Sequence, residues 1–352
     1  MSSEFTTYTD PVSGYKIRQY TQGPEKNTKL YFTTENFSTD DQYFFFNKQV
    51  ADETPRALHQ GHVNGSNALY RVHVESGERE VMAGPEYNGF AMDRFENYGV
   101  MTKGDIVCRL DAGTGEITEI GQLPKGGKIT GHLTTSKDGT IVCSYKQENC
   151  IYALVRMDPK TGKSEIVFQS DYILGHTQVC PTDSDVIFFI HETGGDALQR
   201  MWMFNCKDQT ARPYYVEQDN EWITHEVWST DGENMFFMKL PHQIMMGSKD
   251  GHQFQCVARG DQLLHPGVSR DKKLLCADRI SYWHNESPNH VYLFKDGCMD
   301  GILLAETGTP KDGSNHLHPS FNRAGTQVLF NRPMENGVAQ VCLIDLKENG
   351  IL

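Results

Sequence analysis

The sequence predicts an all-β fold: one seven-bladed β-propeller domain that spans residues 1–352. The first observation behind this prediction is a polar turn followed by an apolar strand, which recurs seven times at intervals of about 40 to 55 residues. The second is a further pair of strands after most copies, which completes the four strands of a propeller blade. A pair of β-sandwiches is the structural alternative.

The recurring turn-and-strand element combines Asp, Gly or Asn with a short run of β-branched and aromatic residues, as strands do. Its copies are STDDQYFFF (38–46), FENYGVMT (95–102), TSKDGTIVCSY (135–145), PTDSDVIFFI (181–190), STDGENMFFM (229–238), SRDKKLLCA (269–277) and NRAGTQVLF (322–330).

The second element is a strand, a turn with Gly and another strand. Examples are LYRVHVESGEREVM, IVCRLDAGTGEITEI and LVRMDPKTGKSEIVF. The chain starts with the end of this element, TDPVSGYKIRQYT, and stops just before it, at VCLIDLKENGIL. We therefore expect the strand near Tyr15–Thr21 to complete the last blade, because this pairing closes the ring and removes an open sheet edge.

The charge balance excludes some classes of partner. The net charge is −13, from 46 acidic and 33 basic residues, whereas binding of nucleic acid or of a membrane surface needs a positive field. A small anionic ligand needs only a local positive site. Nine cysteines without a CxxC pair predict buried free thiols. No signal peptide or run of 18 apolar residues is found, which predicts a cytoplasmic protein.

Five histidines occupy nearly the same place in five successive repeats. His132, His225 and His265 each lie six residues before the turn aspartate, His318 lies six before Ala324, and His176 lies seven before Asp183. In a propeller this place is the start of the innermost strand, at the rim of the central channel. We therefore expect a partial ring of imidazoles, although a single histidine there could simply cap a turn.

His316 and His318 flank one leucine. Residues two apart in an extended chain point the same way, so their imidazoles can share one metal ion. A third ligand such as His265, from the neighbouring blade, would give a histidine-rich metal site.

A metal ion, an uncharged histidine and an arginine together suit chemistry on an acidic sugar. Removal of the C5 proton of a uronate builds charge on its C6 carboxylate, which a divalent cation can neutralise. A neutral imidazole can accept the proton, and an arginine can hold the carboxylate with two hydrogen bonds. Departure of the C4 oxygen then leaves a 4,5-unsaturated sugar.

Several of these repeats resemble those of the oligogalacturonate lyases, polysaccharide lyase family 22. The similar segments are GHTQVCPTD, THEVWSTDGE, LLHPGVSRDKK, HLHPSFNRAGTQVLF and, in the first blade, LYFTTENFSTDDQYFFF. The resemblance covers most of the chain and is strongest from about residue 170 to 346. It implies a seven-bladed propeller that acts on short galacturonides inside the bacterial cell, with Mn²⁺ as the usual metal.

Carried over by position, the resemblance makes His265, His316 and His318 metal ligands and His225 the proton-abstracting base. It also makes Arg200, in GGDALQRMWMF, the group that binds the substrate carboxylate.

Three further residues are candidates for substrate contact. His176 and His132 occupy rim positions, and Trp228 could stack on a sugar, although a tryptophan beside a strand is more often part of the interblade core.

The sequence departs from the family pattern just ahead of the HxH pair, where a glutamine ligand is usual. Here the chain reads KDGSNHLHPSF, and Asn315 or a water molecule could take that place. A lyase acting on a different uronic-acid glycoside and a non-catalytic propeller that binds a sugar or a protein are the alternatives. A propeller hydrolase has no GxSxG motif in its support.

Overall fold

The structure is a computed structural model that describes residues 4–50, 67–193, 197–280, 288–308, 316–335 and 337–352. These residues form thirty β-strands in seven antiparallel sheets, and no helix occurs among them. The seven sheets are the blades of a propeller, so the predicted fold class is confirmed. The same part of the chain contains no helix that could span a membrane.

The first three blades follow one another along the chain, each ordered from its innermost to its outermost strand. Blade 1 contains β3 (Asn27–Lys29), β4 (Tyr43–Gln49), β5 (Asn67–His73) and β6 (Arg79–Ala83). Blade 2 contains β7 (Asn88–Met92), β8 (Tyr98–Lys103), β9 (Ile106–Asp111) and β10 (Ile117–Gln122). Blade 3 has a divided inner strand, β11 (Gly127–Ile129) and β12 (Thr134–Thr135), followed by β13 (Ile141–Gln147), β14 (Tyr152–Met157) and β15 (Ser164–Ser170).

The next three blades have four strands each. Blade 4 contains β16 (Ile173–Cys180), β17 (Asp183–Glu192), β18 (Met201–Asn205) and β19 (Thr210–Pro213). Blade 5 contains β20 (Ile223–Trp228), β21 (Asn234–Lys239), β22 (Gln243–Ser248) and β23 (Phe254–Arg259). Blade 6 contains β24 (Leu263–Val268), β25 (Leu274–Arg279), β26 (Asn289–Lys295) and β27 (Ile302–Thr307).

Blade 7 joins the two ends of the chain. It contains β28 (Ser320–Phe321), β29 (Gln327–Pro333) and β30 (Ala339–Asp345), completed on the outside by β2 (Lys16–Gln19) and β1 (Thr6–Thr9). The pairing of β2 with β30 places Arg18 opposite Leu343, so the predicted closure of the ring by an N-terminal strand is confirmed. The fifth strand, β1, was not predicted.

The apolar core is divided among the seven interfaces between neighbouring blades. Side chains alternate along a strand, so successive residues enter opposite interfaces. In β13, for example, Cys143 packs toward blade 2 and Val142 toward blade 4. Both faces of a blade are therefore buried, which explains why strands such as Ile187–Ile190 are apolar throughout rather than alternating. All nine cysteines are free, as predicted, but only five of them are buried: Cys150 and Cys298 are exposed, and Cys206 and Cys256 are partly exposed.

Candidate metal and substrate site

The inner strands of blades 4 and 5 carry a β-bulge at the predicted histidine. The register of β16 shifts between Gly175 and Gln178, around His176, and that of β20 shifts between Thr224 and Val227, around His225. A bulge leaves extra residues unpaired and redirects their side chains. The two imidazoles meet here, with ring centroids 5.8 Å apart.

Three of the rim histidines adopt a backbone conformation that is unusual for their residue type. The φ angles of His176, His225 and His318 are 45°, 56° and 49°. Gly89, at the corresponding bulge of blade 2, has φ of 67° and needs no strain to adopt it. Left-handed backbone at a residue with a Cβ costs about 1–2 kcal/mol, and such strain is concentrated at functional sites.

His265, His316 and His318 form the predicted cluster. One ring nitrogen from each lies within 4.8 Å of the others, close enough for one metal ion to be shared. The ring of His265 lies 4.9 Å from that of His316 and 4.2 Å from that of His318. His265 is fully buried, whereas the HxH pair is partly exposed. The expected convergence of the HxH pair with a histidine of the neighbouring blade is therefore observed.

Asp278, on β25, orients this cluster through hydrogen bonds. Its Oδ2 lies 2.8 Å from Nδ1 of His265, and its carboxylate also accepts the backbone N–H groups of His265 and His318 at 2.8 and 3.1 Å. Because the carboxylate accepts a proton-bearing Nδ1, the lone pair of Nε2 is left as the potential ligand. Burial raises the pKa of Asp278 to about 6, against the lowering effects of His316 and the backbone donors.

Asp278 was not among the predicted site residues. An aspartate near the end of a second strand is unremarkable in sequence, and only its place opposite the bulge of β24 distinguishes it.

His225 lies beside the cluster but is not part of it. Its ring is 4.1 Å from that of His265 and 6.0 Å from that of Phe32. Burial, followed by the charge of His265, holds the pKa of His225 well below its usual value of 6.5, so its imidazole is neutral at neutral pH. Its Nδ1 atom is buried and has no hydrogen-bond partner among the described residues.

His176 pairs with a carboxylate that was not predicted. Its Nδ1 lies 2.7 Å from Oε2 of Glu226, which is fully buried and follows His225 directly in the chain. Gln178 donates to the backbone carbonyl of Glu226 at 2.7 Å and so fixes this stretch of β20. A glutamate inside an apolar strand, THEVW, is the sequence signal that could have identified it.

Arg200 lies between β17 and β18 and is only 5% exposed. Its guanidinium forms an ion pair with Glu192 at 3.1 Å, and its backbone N–H donates to Glu217 at 2.6 Å. The positive charge of Arg200 contributes to the lowered pKa of His225, which places the two groups in electrostatic reach of each other. Burial raises the pKa of Glu217 to about 7.

Blade 1 has no histidine at the rim among its described residues, and two aromatic residues, Tyr31 and Phe32, lie next to the rim histidines instead. The ring of Phe32 is buried 5.2 Å from His265 and 5.7 Å from His318, so it packs against the cluster. The ring of Tyr31 lies 5.0 Å from His318 and 5.4 Å from His132.

His132 is also held close to the site, with Nε2 2.9 Å from the hydroxyl of Thr33. Its ring lies next to that of Tyr31, so the predicted rim position is occupied as expected.

A cleft of about 290 Å³ opens next to the cluster across blades 1, 2, 3 and 7. Lys29, Tyr31, His132, His316 and His318 line it, together with Tyr87, Asn47, Asn67, Asn88 and Asn331. Its wall is thus rich in amide, imidazole and phenol groups, which suit a hydroxylated ligand.

One of the predicted site residues that the structure describes does not join this arrangement. Trp228 is 0% exposed and packs in the apolar core between blades 4 and 5, so the prediction that it contacts substrate is wrong. Side chains alternate along β20, so the Trp228 side chain enters the interface between the two blades and does not face the rim. Asn315 lies outside the described residues.

The matching family model and two sequence relatives are all described as oligogalacturonate or oligogalacturonide lyases. Residues 133–255 match the family model described as oligogalacturonate lyase. The oligogalacturonide lyase of Pectobacterium atrosepticum is 34% identical over 198 residues, which are 50% of this chain and 51% of that protein. The oligogalacturonate lyase of Dickeya dadantii is 24% identical over 262 residues, 68% of this chain and 64% of that protein. The matched segments thus span less than two thirds of the length of either relative.

Solved structures extend the likeness in fold. An oligogalacturonate lyase from Vibrio parahaemolyticus superposes with a TM-score of 0.82 at 19% identity, covering 98% of this chain and 97% of that one. An oligogalacturonate lyase in complex with manganese gives 0.81 at 20% identity, covering 98% of both chains. The resemblance to the oligogalacturonate lyases expected from the histidine repeats is therefore confirmed, by the family match over residues 133–255 and by a shared propeller fold along nearly the whole chain.

Proposed function

We propose that this protein is a metal-dependent lyase that cleaves short oligogalacturonides by β-elimination and releases 4,5-unsaturated uronate products. The observation that carries the proposal is the meeting of three imidazoles, from His265, His316 and His318, beside a fourth neutral imidazole, that of His225. The first three are suited to hold a cation, and the fourth is suited to accept a proton.

The donor set fits a divalent transition metal. Three imidazole nitrogens within 4.8 Å of one another disfavour Ca²⁺, which prefers oxygen ligands. Mn²⁺ is the first candidate, because a solved oligogalacturonate lyase is in complex with manganese. The bound ion would supply a Lewis acid that neutralises charge developing on the C6 carboxylate. Asn315 as a fourth, amide ligand stays a prediction.

His225 is the proposed base. Its lowered pKa keeps it unprotonated at neutral pH, so it can take the C5 proton of the bound uronate. Arg200 is the proposed partner of the substrate carboxylate. Its guanidinium pairs with Glu192 at 3.1 Å, so a substrate carboxylate would have to share or replace that partner.

The cleft favours a short substrate. Its volume of about 290 Å³ lies at the lower end of the range of about 300–1,000 Å³ that is typical of small-ligand sites. His132 and His176 lie at the rim of the channel, where they can contact sugar hydroxyls. A small acidic oligosaccharide is the proposed partner; the cytoplasmic location stays a prediction.

A direct test follows the conjugated double bond of the product by its ultraviolet absorbance. The full chain is stripped of metal and incubated with digalacturonate or trigalacturonate, with Mn²⁺ or with EDTA. We expect absorbance to rise with Mn²⁺ and not with EDTA. Failure of protein with stoichiometric Mn²⁺ to act on either galacturonide would overturn the proposed substrate, and activity undiminished by EDTA would overturn the metal dependence.

A further inference from the structure

Elimination requires a second proton transfer, which the proposed base does not supply. When the C4–O4 bond breaks, the departing sugar oxygen must gain a proton, because a sugar alkoxide is a poor leaving group. We propose that His176 is the general acid that supplies this proton and that Glu226 is the positioning residue that orients the His176 ring. This inference rests on the proposed lyase function and extends it.

The first support is the contact between the two side chains. Nδ1 of His176 lies 2.7 Å from Oε2 of Glu226, and the Glu226 side chain is 0% exposed. A buried carboxylate needs a hydrogen-bond partner. Among the described residues, His176 is the side chain paired with the Glu226 carboxylate, and Oε1 of Glu226 has no hydrogen-bond partner. The contact therefore fixes the orientation of the His176 ring.

The second support is the contrast with His225. The two rings are 5.8 Å apart and come from equivalent bulges of neighbouring blades, yet their surroundings differ. His225 has the imidazole of His265 beside it, whereas His176 has a carboxylate as its partner. Two neighbouring histidines with different partners can take different roles in one reaction.

The third support is the access to the remaining ring nitrogen. Glu226 occupies Nδ1 of His176, so Nε2 is the nitrogen left to face a ligand. The His176 side chain is 19% exposed, and its ring lies 6.4 Å from that of Tyr31 at the cleft. A ligand in the channel can therefore reach His176, although it cannot reach the buried Glu226.

The proton balance closes without a further reactant. The C5 proton moves to His225, and the C5–H electrons form the C4–C5 double bond. The C4–O4 bond breaks, and O4 takes the Nε2 proton of His176 to become the hydroxyl of the released sugar. His225 then loses one proton to water and His176 regains one, which restores both residues.

The test separates proton removal from departure of the leaving group. His176→Gln and Glu226→Gln are compared with His242→Gln, whose side chain is 59% exposed. Each is given Mn²⁺ and two substrates: digalacturonate, and a uronate with 4-nitrophenoxide at C4, which leaves without a proton. We expect His176→Gln to lose about 100-fold or more on digalacturonate and to keep most activity on the nitrophenoxide substrate.

A second readout is exchange at C5. The quantity measured in deuterated water is the rate of deuterium incorporation at C5 of recovered digalacturonate, divided by the rate of product formation. This ratio should be higher for His176→Gln than for the unaltered protein. Glu226→Gln should move both readouts in the same direction, and His242→Gln should move neither. Mn²⁺ stoichiometry shows that each variant retains its site; if His176→Gln fails to fold, His176→Asn, which also lacks an acid, replaces it.

The outcomes distinguish this inference from the function on which it rests. No turnover by the unaltered protein on digalacturonate overturns both. Turnover by the unaltered protein together with equal losses of His176→Gln on both substrates, or with no loss on either, overturns the assignment of His176 as the acid and leaves the lyase function standing.

Discussion

Nδ1 of His265 lies 2.8 Å from Oδ2 of Asp278, and both side chains are fully buried. The same carboxylate accepts the backbone N–H of His318, so a single residue of blade 6 holds a histidine from its own blade and a turn of blade 7. The geometry of the candidate metal site is therefore set by a contact that spans a blade interface.

Replacement of Asp278 by Asn should weaken metal binding. The amide oxygen of Asn carries no negative charge, so it accepts a weaker hydrogen bond from Nδ1–H of His265. The Nε2 lone pair of His265 then becomes less basic and less well oriented toward the metal. Loss of such a partner lowers metal affinity by about 10–100-fold. Calorimetric titration with Mn²⁺ measures the effect, with Asp271→Asn, an exposed turn residue, as the control. Equal affinities for Asp278→Asn and the unaltered protein would contradict the role of Asp278.

Replacement of His225 by Ala should abolish turnover without removing the metal. Loss of a general base lowers the rate by about 10²–10⁴-fold. The measurement is kcat on digalacturonate at saturating substrate, together with Mn²⁺ stoichiometry. The exposed His252→Ala serves as the matched control. A variant that lost the metal as well would show that His225 is a ligand, and unchanged turnover would exclude it as the base.

Replacement of Ile17 by Ala should destabilise the closed ring. Ile17, on β2, is 0% exposed and packs in the core between blades 6 and 7. A large-to-small change of this kind costs about 2–5 kcal/mol. Urea unfolding measures the change in the free energy of unfolding. Val12→Ala, at a residue that is 53% exposed, should change little. Equal stabilities would mean that the N-terminal strand contributes little to closure.

The Glu217→Gln variant should be more stable than the unaltered protein at high pH. The difference in their free energies of unfolding should grow as pH rises. The folded pKa of Glu217, about 7, is above the usual 4.5, so between these values the folded state binds more protons than the unfolded state. Stability of the unaltered protein therefore falls as pH rises through this window, and the glutamine variant is spared that loss.

The gain of Glu217→Gln is expected to reach about 1–2 kcal/mol above pH 7, less than the full pKa shift would give, because the side chain is partly exposed. Urea unfolding of both proteins near pH 5 and pH 8 measures it. A stability difference that is the same at both pH values would show that Glu217 has an ordinary pKa.

The architecture could be predicted because it repeats locally. Each blade can be recognised in the sequence by a turn, as at Asp231 or Asp271, followed by an apolar strand. The incomplete repeat at each end of the chain predicted the pairing of β2 with β30. The histidine register follows from the same repetition, since equivalent positions in successive blades converge on one channel. His265 and His318 could be grouped on that basis, and His316 joins them because residues two apart in an extended chain point the same way.

The partners of these histidines were decided by the tertiary structure. Asp278 looks like an ordinary strand residue, and Glu226 stands out only as a glutamate within an apolar strand. Each acquires its role because a bulge brings an imidazole of the same or the neighbouring blade within 2.8 Å of its carboxylate. Trp228, only three residues after His225, instead enters the interblade core. The physical reason is that a bulge and the closure of the ring set which way each side chain points, and a one-residue change in strand register reverses the face without altering the repeat pattern.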